Sequence, residues 1–483
     1  MSLRFATVAA AFWLAACSRP VPLPVHEFRV PVPEAWQGAP TDPFRAGSDW
    51  WAYFDDPGLD AAIRRSLECS QSLQAAAARV DAAMQERMMA GAAELPALDI
   101  GTNRIRQRQN FVGLPFPGLS DRVLSNTFTN AGLSFNVSWE ADLWHRVDAG
   151  KLAAEAGVAG READLQAARL SLSGQVAKAW FAGAEAQGQV GLAEALVQHL
   201  ETVAERMQDR YRAGSRSPLD VRLAQGDVLR ARAAVHQRTQ ARDAAMRQIE
   251  ILTCEYPAGL RAAPPGLPPL RDKVPAGLPS ALVRRRPDLV SAERAVLAAD
   301  AGIVQSRAAL LPSFSLTTVV GTSSNSLLDL VNPGLQVWNY ALGVAQPLFN
   351  RGRLKANVRA TEARAREASA NYENLAWNAY REVETALAAE TTLRDQESDS
   401  RAAHRNAQAS VSIAEERYKA GMGDIFSVLG LRRAVLESES ALLGLHRARI
   451  DNRVDLHLAL GGGFEGPPPA AASSGSNAVG RTQ

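Results

Sequence analysis

Short stretches of alternating apolar and polar residues mark four candidate strands. Apolar side chains occupy every second position from Leu133 to Trp139, with polar side chains between them. The same period of two runs through 314–320 and 338–344, and a weaker version covers 98–108. This period is typical of strands whose two faces meet different surroundings. Proline and glycine between the members of each pair predict two strand pairs with exposed connecting loops.

A very long helix is expected after each strand pair. No proline interrupts Ala141–Ala213, and none interrupts the second stretch, where we expect a helix from Arg353 to Ala420. Each stretch ends at a glycine-containing turn. A return helix follows, Leu219–Thr253 in the first half and up to about Leu460 in the second. A helix of about 70 residues spans roughly 100 Å, which indicates an elongated structure rather than a globular core.

A shorter helix is expected before each strand pair. One is predicted from Leu59 to Glu94, after Asp56-Pro57, and the other from Arg284 to about Leu311. In each half the two shorter helices together match the long helix in length. If they stack end to end, the chain supplies four columns of equal length, as the wall of a cylinder requires.

The two halves carry the same turn sequence. Tyr211-Arg-Ala-Gly in the first half recurs as Tyr418-Lys-Ala-Gly in the second. The repeated order of helix, strand pair, long helix and return helix predicts an internal duplication. The repeats are placed at residues 50–256 and 280–461, with an irregular proline-rich connection at 257–279. The expected fold class is mainly α with a small β part.

Four strands cannot close a barrel in a membrane. An open sheet in lipid leaves backbone groups unpaired on both edges, at several kcal/mol each. The smallest single-chain membrane barrels have about eight strands. The pattern therefore predicts that several copies share one barrel, and three copies would supply about twelve strands and about twelve helical columns.

Aromatic side chains flank the candidate strands at Trp139, Trp144, Trp338 and Tyr340. Their amphipathic rings suit a membrane–water interface. Packing between the strand bases and the helices is the alternative interpretation.

The N-terminus is predicted to be a targeting signal. Residues 1–16 combine Arg4 with an apolar stretch too short to span a bilayer. Leu14-Ala15-Ala16-Cys17 resembles the lipobox of bacterial lipoproteins, which implies a lipid on Cys17, and Ser18 after it implies the outer membrane. An ordinary signal peptide with an incidental cysteine is the alternative.

The two ends of the mature chain are expected to be irregular. Dense prolines predict an extended arm at 17–49, followed by an aromatic clasp, Trp50–Phe54, that packs the arm onto the body. Glycine, proline, alanine and serine predict a disordered tail at 462–483.

The two remaining cysteines leave two possibilities open. Cys69 and Cys254 lie near the two ends of the first repeat, in a compartment where disulfides persist. A disulfide and a pair of buried thiols are both consistent with the sequence.

Composition and motifs exclude several classes of function. A net charge of +2 without a basic stretch is unlike a nucleic-acid-binding protein. The histidines lie scattered without metal-ligand spacing, and no phosphate-binding loop occurs. We therefore expect no enzyme activity, no metal and no cofactor. Met84 and Met88 lie four residues apart, but methionines at this spacing are more often part of a core than ligands of copper.

Several motifs together resemble one family. Trp139-Glu-Ala-Asp-Leu-Trp144 follows the second strand, and Arg285-Arg-Pro-Asp-Leu289 precedes the third. Ala308–Leu316, Gln346–Gly352 and the two Tyr-x-x-Gly turns add to them. The chain resembles the TolC-like outer-membrane factor family, in its lipoprotein branch typified by OprM and NodT-type channels. The likeness extends from about Trp50 to Gly461.

This resemblance implies a homotrimer with a shared outer-membrane β-barrel and a long periplasmic helical barrel. A belt around the middle of the helices would include the 257–279 connection. The implied partners are a periplasmic adaptor protein, an inner-membrane pump and outer-membrane lipid.

The resemblance also assigns roles to the turns. The adaptor would meet the tip formed by Tyr211, Gly214, Ser215, Tyr418, Gly421 and Met422. The glycines suit a helix end that needs a left-handed residue. Asp220 and Asp424 are candidate gate residues, although the family's acidic positions in the second half fall on Ser427 and Gly430 here. Stabilising charge at a helix N-terminus is the alternative for both aspartates.

The function expected from these features is passive export through the outer membrane. The chain would be the exit channel of a tripartite efflux system with a resistance-nodulation-division pump, for drugs or other small toxic compounds. A duct for type I protein secretion or metal efflux is the alternative within transport. A helical structural lipoprotein without a pore is the alternative outside it.

Overall fold

The computed structural model describes residues 21–24, 28, 30, 33, 35–37, 49–111, 124–270, 285–350 and 352–462. Cys17, the signal sequence, most of the 17–49 arm, the end of the 257–279 connection and nearly all of the 462–483 tail lie outside these residues.

The described part of the chain is mainly helical, with four strands. The α-helices are α1 (Pro57–Cys69), α2 (Gln71–Ala92), α3 (Arg146–Arg212), α4 (Pro218–Leu252), α5 (Pro287–Ala308), α6 (Arg353–Lys419) and α7 (Ile425–Ala459). The strands are β1 (Ala97–Phe111), β2 (Leu124–Ala141), β3 (Ser313–Thr322) and β4 (Gln336–Ala345). Short 3₁₀ helices lie at Trp50–Phe54, Leu327–Asp329 and Pro333–Leu335.

The long and return helices have the same lengths in both halves. The long helices α3 and α6 each have 67 residues, and the return helices α4 and α7 each have 35. The prediction of a long helix and a shorter return helix in each half is confirmed.

The single helix predicted at 59–94 is wrong, because the structure has two. α1 begins where expected, since the Asp56 carboxylate accepts hydrogen bonds from the N–H groups of Gly58 and Leu59. It ends because Ser70 is extended (φ −61°, ψ 122°) and its hydroxyl lies 2.8 Å from that of Ser72. Serine is common in helices as well as in local side-chain hydrogen bonds of this kind, so Ser70 does not by itself predict a break in a helical sequence.

The start of the first long helix was predicted five residues too early. The Asp142 carboxylate accepts hydrogen bonds from the N–H groups of Arg146, Val147 and Asp148, at 2.6–2.8 Å. An aspartate that satisfies the free donors of the first turn fixes where a helix begins.

Two compact units make up the chain. Unit 1 contains 80–161 and 292–372, with the strands and the adjoining ends of the helices. Unit 2 contains 29–79, 162–291 and 373–483, and it includes both helical turns.

The four strands of unit 1 form one antiparallel sheet in the order β1-β2-β3-β4. β1 pairs with β2 along its whole length, from Ala97 opposite Ser138 to Phe111 opposite Leu124. β1 and β2 are longer than predicted. The upper part of β2, residues 124–132, is largely polar and lacks the alternation that marks residues 133–139. Backbone pairing with β1 holds that part in the sheet.

The register separates the sheet into two faces, because successive side chains point to opposite sides. The apolar face carries these side chains: Leu98, Ile100, Leu133, Phe135, Val137, Trp139, Phe314, Leu316, Val320, Trp338, Tyr340, Leu342 and Val344. The polar face carries mainly small or polar ones: Asp99, Asn103, Ser134, Asn136, Ser138, Ser315, Thr317, Asn339 and Gly343.

Two tryptophans at the base of the sheet bond to backbone in unit 1. Trp139 Nε1 donates to the carbonyl of Glu94 at 3.0 Å, and Trp144 Nε1 donates to that of Pro312 at 2.7 Å. Of the two interpretations open for this pair, packing at the strand base is the one with observed contacts.

The core of unit 2 forms around the aromatic segment Trp50–Phe54. Trp50, Trp51 and Phe54 are buried, and they pack with residues of α1, α3, α4 and α7 such as Phe181 and Met246. The expected packing of this segment onto the body is confirmed.

A disulfide joins two distant parts of unit 2. Cys69 at the end of α1 is bonded to Cys254, just after α4, and their Cα atoms are 6.2 Å apart. Of the two possibilities left open by the sequence, the structure has the disulfide.

Met84 and Met88 are not part of a core in the described chain, contrary to expectation. They are 40% and 66% exposed, because the end of α2 is open to solvent on nearly all sides. Within the described residues, no helix is both long enough and apolar enough to cross a membrane.

Candidate functional site: the two helical turns

The first turn is a glycine-terminated helix end in unit 2. Gly214 has φ +70°, and its N–H donates to the carbonyl of Tyr211, while the N–H of Ser215 donates to that of Arg210. This pair of hydrogen bonds is the Schellman motif, which satisfies the last carbonyls of α3. The Ser215 hydroxyl also donates to the Arg210 carbonyl, at 2.9 Å.

The second turn repeats the geometry of the first. Gly421 has φ +74°, its N–H donates to the Tyr418 carbonyl, and the N–H of Met422 donates to the carbonyl of Arg417. The expectation of a left-handed glycine in each turn is confirmed. A side chain at either glycine would be strained by the backbone conformation itself.

Both candidate gate aspartates lie at the start of a return helix. Asp220 forms a capping box with Ser217, the residue before α4, in which each side chain bonds the other's backbone N–H. Asp424 is the residue before α7, and its carboxylate accepts from the N–H of Phe426 at 3.1 Å. Stabilisation of a helix start is thus an observed role of each.

Two arginines of the first turn reach across to the second. Arg210 donates a hydrogen bond to the hydroxyl of Tyr418, and its guanidinium lies 5.4 Å from the centre of that ring. Arg216 lies 3.4 Å from the carboxylate of Asp424 and 5.4 Å from the centre of the Phe426 ring. These ionic and cation–π contacts link the two turns.

A small apolar core lies behind the two turns. It is built from buried side chains of the long and return helices, namely Val203, Met207, Val221, Ala224, Ile425 and Val428. Since the two turns share this core and the arginine contacts, they form one tip, here defined as residues 210–221 and 417–428.

The tip exposes apolar and aromatic side chains. Met422 is 71% exposed and Tyr211 41%, and Leu219 at the start of α4 is 65% exposed. Exposed apolar side chains next to charged ones are typical of surfaces that bind another protein.

Sequence reasoning identified the turns but missed the two arginines that join them. Arg210 and Arg216 flank the first Tyr-x-x-Gly motif, and Gly423 takes the place of Arg216 in the second. This difference between the repeats was the available signal for Arg216, whereas Arg210 has a counterpart in Arg417.

A model of the outer membrane efflux protein family matches residues 62–253 and 278–462, one stretch in each half of the chain. This chain belongs to the outer membrane efflux protein family.

Individual relatives agree with this assignment. The solvent efflux pump outer membrane protein SrpC of Pseudomonas putida is 33% identical over 416 residues, which are 85% of this chain and 87% of the relative. Outer membrane protein OprJ of Pseudomonas aeruginosa is 30% identical over 463 residues, 94% of this chain and 95% of the relative.

Solved channels have the same fold. The open-state structure of the MtrE outer membrane channel of Neisseria gonorrhoeae has a TM-score of 0.81 at 29% identity. It covers 92% of this chain and 99% of its own. A structure of CusC has a TM-score of 0.80 at 26% identity and covers 91% and 99%.

The expected family, location and general function are therefore confirmed. This outer membrane efflux protein acts in the outer membrane of a Gram-negative bacterium, as the efflux channel component of a tripartite system. Its relatives are channels and not enzymes.

The efflux protein also holds a buried charged cluster in unit 2, on α6 and α7. The side chain of Glu397 is 4% exposed and pairs with Arg401 at 2.5 Å, with His446 at 3.1 Å and with Arg449. Burial opposes ionisation of Glu397, but its contacts with Arg449, Arg401 and His446 outweigh this effect and lower its pKa to about 2. His446 also contacts the carbonyl of Pro268 at 3.0 Å, which ties the connection to α7.

A buried histidine of α7 lies against the aromatic segment. The His457 ring stacks on Trp50 with centroids 5.5 Å apart and is 5.3 Å from the Tyr53 ring. Burial, and secondarily the charge of Arg453, lowers the pKa of His457 to about 4. The ring is therefore neutral at ordinary pH.

Proposed function

We propose that three copies of this chain form one exit channel through the outer membrane. The proposal rests on the open edges of the four-stranded sheet. Among the described strands, β1 and β4 each have a partner on one side only, and one face of the sheet is apolar and exposed. In lipid such a sheet needs neighbours to satisfy its edges.

Three sheets of four strands would form a barrel of about twelve strands, within the range of known membrane barrels. The apolar face would contact lipid, and the polar face would line a water-filled lumen. The long helices would continue in the periplasm as a helical barrel. The equal lengths of α3 and α6, and of α4 and α7, support the proposed duplication.

Cysteine crosslinking tests the shared barrel. Asn103→Cys in β1 and Asn339→Cys in β4 place thiols on the polar face of the two edge strands. Across a junction between copies, cysteines scanned along these strands should give crosslinked dimers and trimers in membranes. The matched control combines Asn103→Cys with Ser315→Cys in the inner strand β3, and should give none. If edge cysteines scanned over several registers yield only monomers, the shared barrel is wrong.

We propose that the tip contacts the periplasmic adaptor protein. The exposed Tyr211, Ser215 and Met422, next to the two glycines, form a surface that the rest of the described chain does not cover. A photoreactive amino acid at Met422 should crosslink to the adaptor in cells. The same group at Ile251, exposed at the far end of α4, is the control and should not. Equal crosslinking at both positions would reject the assignment.

We propose that the same tip closes the channel at rest, with Asp220 and Asp424 as gate residues. Asp424 pairs with Arg216 across the two turns, and Asp220 orders the start of α4. Opening would separate the turns, with Gly214 and Gly421 as pivots. The channel would be passive, and the inner-membrane pump would supply the energy.

The lipid on Cys17 is also a proposal. It would anchor each chain to the outer membrane without a spanning helix. Metabolic labelling with a palmitate analogue should mark the wild type and not Cys17→Ser. Labelling of the variant would reject this attachment site.

The proposed cargo is drugs or other small toxic compounds, moved by a resistance-nodulation-division pump. Relatives are named for solvent and toluene efflux, which supports this class. Others are named for cation efflux and pyoverdine export, which keeps metal efflux as an alternative. A deletion strain should become sensitive to drugs, with no further loss when the pump gene is also deleted. Sensitivity to metal salts alone, or loss of a secreted protein, would favour an alternative duct.

A structural lipoprotein without a pore is the remaining alternative. Purified protein in planar bilayers should give discrete conductance steps. Complete absence of conductance with verified insertion would favour the structural role.

A further inference from the structure

Three arginines form a ladder on one face of β1. Arg104, Arg106 and Arg108 are separated by single residues, so their side chains point to the same side of the strand. All three are exposed. Same-face residues lie about 7 Å apart along a strand, and the arginine ladder therefore spans about 14 Å.

The arginine ladder continues the apolar face of the sheet. Leu98 and Ile100 occupy the same side of β1, nearer the helices, and are 68% and 66% exposed. Thr102 lies between them and Arg104. Along a single strand, the face thus changes from apolar to strongly basic towards the end that carries the loops.

Exposed aromatic side chains lie on the helix side of the point where the face changes from apolar to basic. Trp338 and Tyr340 on β4 are 67% and 65% exposed on the apolar face. Through the register, Trp338 faces Val320, and the same row continues to Phe135 and Ile100. Exposed rings of this kind mark the membrane–water interface in outer-membrane barrels. The ladder lies beyond that row.

The arginine ladder has no carboxylate partner among the described residues. The side chains opposite it on β2 are small: Ala131, Thr129 and Thr127. Arg108 donates a hydrogen bond to the hydroxyl of Ser125 at 3.0 Å. The acidic residues of the described strands, Asp99 and Glu140, lie on the polar face, so they do not neutralise the ladder.

We propose that the arginine ladder binds the phosphate groups of the glycolipid that forms the outer leaflet of the outer membrane. This inference rests on the proposed function, which directs the loop end of the sheet to the cell exterior. A guanidinium presents paired N–H donors that match phosphate oxygens. The acyl chains of the same glycolipid would lie on the apolar face directly below.

The continuity of the two surfaces favours a lipid over a soluble anion. A soluble phosphate would gain only the contacts of the ladder, whereas the glycolipid gains the ladder and the apolar face together. Binding would fix the height of the barrel in the bilayer, because the basic row and the apolar band each match one layer of the membrane.

The test compares two variants of the full-length protein. In the neutral variant, Arg104, Arg106 and Arg108 are replaced with glutamine. The relocated variant adds Asn103→Arg, Gln107→Arg and Gln109→Arg, which moves the same three charges to the polar face of the same strand. Binding of diphosphorylated lipid A to protein in detergent is measured by native mass spectrometry, with dephosphorylated lipid A as the probe control.

The neutral variant should bind diphosphorylated lipid A on the order of 100-fold more weakly than the wild type, since each cation near an anionic lipid surface contributes about a fivefold factor. The relocated variant should be equally weak. All three proteins should bind dephosphorylated lipid A alike. Arg106→Gln alone should weaken binding about fivefold, and serves if the triple variant does not assemble.

Several outcomes would overturn the inference. Wild-type affinity in the neutral variant would show that the ladder does not bind the lipid. Wild-type affinity in the relocated variant would show that only net charge matters. Displacement of lipid A by inorganic phosphate at equal concentration would indicate a simple anion site. Conductance of each variant is recorded in parallel, so that a failure of lipid binding is distinguished from a failure of the channel.

Discussion

The guanidinium of Arg216 in the first turn lies 3.4 Å from the carboxylate of Asp424 before the last helix. The two residues belong to different halves of the chain, and in each half the turn by itself is an ordinary glycine-capped helix end. Their contact links the turn of the first half to that of the second.

Arg216→Ala should weaken the closed state of the channel. A half-exposed ion pair contributes about 0.5 kcal/mol, and its loss in three chains should shift the closed–open equilibrium by about tenfold. Single-channel recording in planar bilayers measures this shift. High salt should bring the wild type towards the variant, because it screens exposed charges.

Arg212→Ala is the matched control for Arg216→Ala. Arg212 also lies in the first turn, but it pairs with Asp209 on its own helix at 3.5 Å. It should leave the conductance unchanged. If both variants behave alike, the cross-turn contact does not hold the tip.

Asp220→Ala should also loosen the closed tip, through the start of α4. The alanine removes one half of the capping box with Ser217, at a cost of about 1 kcal/mol. Conductance should rise, and amide exchange at the start of α4 should accelerate. Asp220→Asn keeps an acceptor without the charge, so it separates the two causes. Unchanged conductance in Asp220→Ala would exclude this residue from the gate.

Glu397→Gln should abolish one acid-sensitive part of the stability. The pKa of Glu397 is lowered from 4.5 to about 2 in the folded chain. Its ion pairs therefore stabilise the fold fully above pH 4.5 and are lost as the pH falls towards 2, a contribution of about 3 kcal/mol. Thermal unfolding between pH 7 and pH 2 should show this loss in the wild type, whereas the variant should start less stable and change less.

Glu437→Gln is the control for the buried glutamate. Glu437 forms an exposed ion pair with Arg433 on the same helix, with both side chains 61% exposed. It should alter the acid sensitivity little. An equal effect of both substitutions would contradict the special role of the buried cluster.

His457→Phe should remove a second acid-sensitive loss of stability, at higher pH than that of Glu397. Here protonation creates a positive charge, whereas at Glu397 it removes a negative one. The pKa of His457 is lowered from 6.5 to about 4, so between these values the unfolded chain binds a proton that the folded chain does not. The wild type should therefore lose about 3 kcal/mol as the pH falls through this window. The variant should lack this loss, measured as a smaller fall in melting temperature. The exposed His236, changed to glutamine, is the control, and a matching change there would contradict the prediction.

Loss of the disulfide should destabilise unit 2. Cys69 and Cys254 are 185 residues apart in sequence, and removal of a native disulfide typically costs about 2–5 kcal/mol. Cys69→Ser with Cys254→Ser should lower the melting temperature, and a reductant should lower that of the wild type towards the variant. A melting temperature unaffected by both treatments would contradict a stabilising role of the bond.

Much of the fold was predictable because its signals are local. The alternation through Leu133–Trp139 marks a strand, and the glycines at 214 and 421 mark helix ends, since each depends on residues next to it in the chain. The break at Ser70 and the upper part of β2 were not predictable from such signals. The break depends on the extended backbone of Ser70, whose hydroxyl bonds that of Ser72. The upper part of β2 depends on backbone pairing with β1.

The sequence by itself determined the paired strands, the two long helices with their glycine turns, and the resemblance to outer membrane channels. Only the tertiary structure decided that Cys69 meets Cys254, that Arg216 meets Asp424, and that Ile100, Phe135, Val320 and Trp338 form one row across the apolar face. The physical reason is distance along the chain. Periodicity and turn chemistry act over a few residues, whereas these contacts and this face depend on how segments far apart in sequence pack and pair.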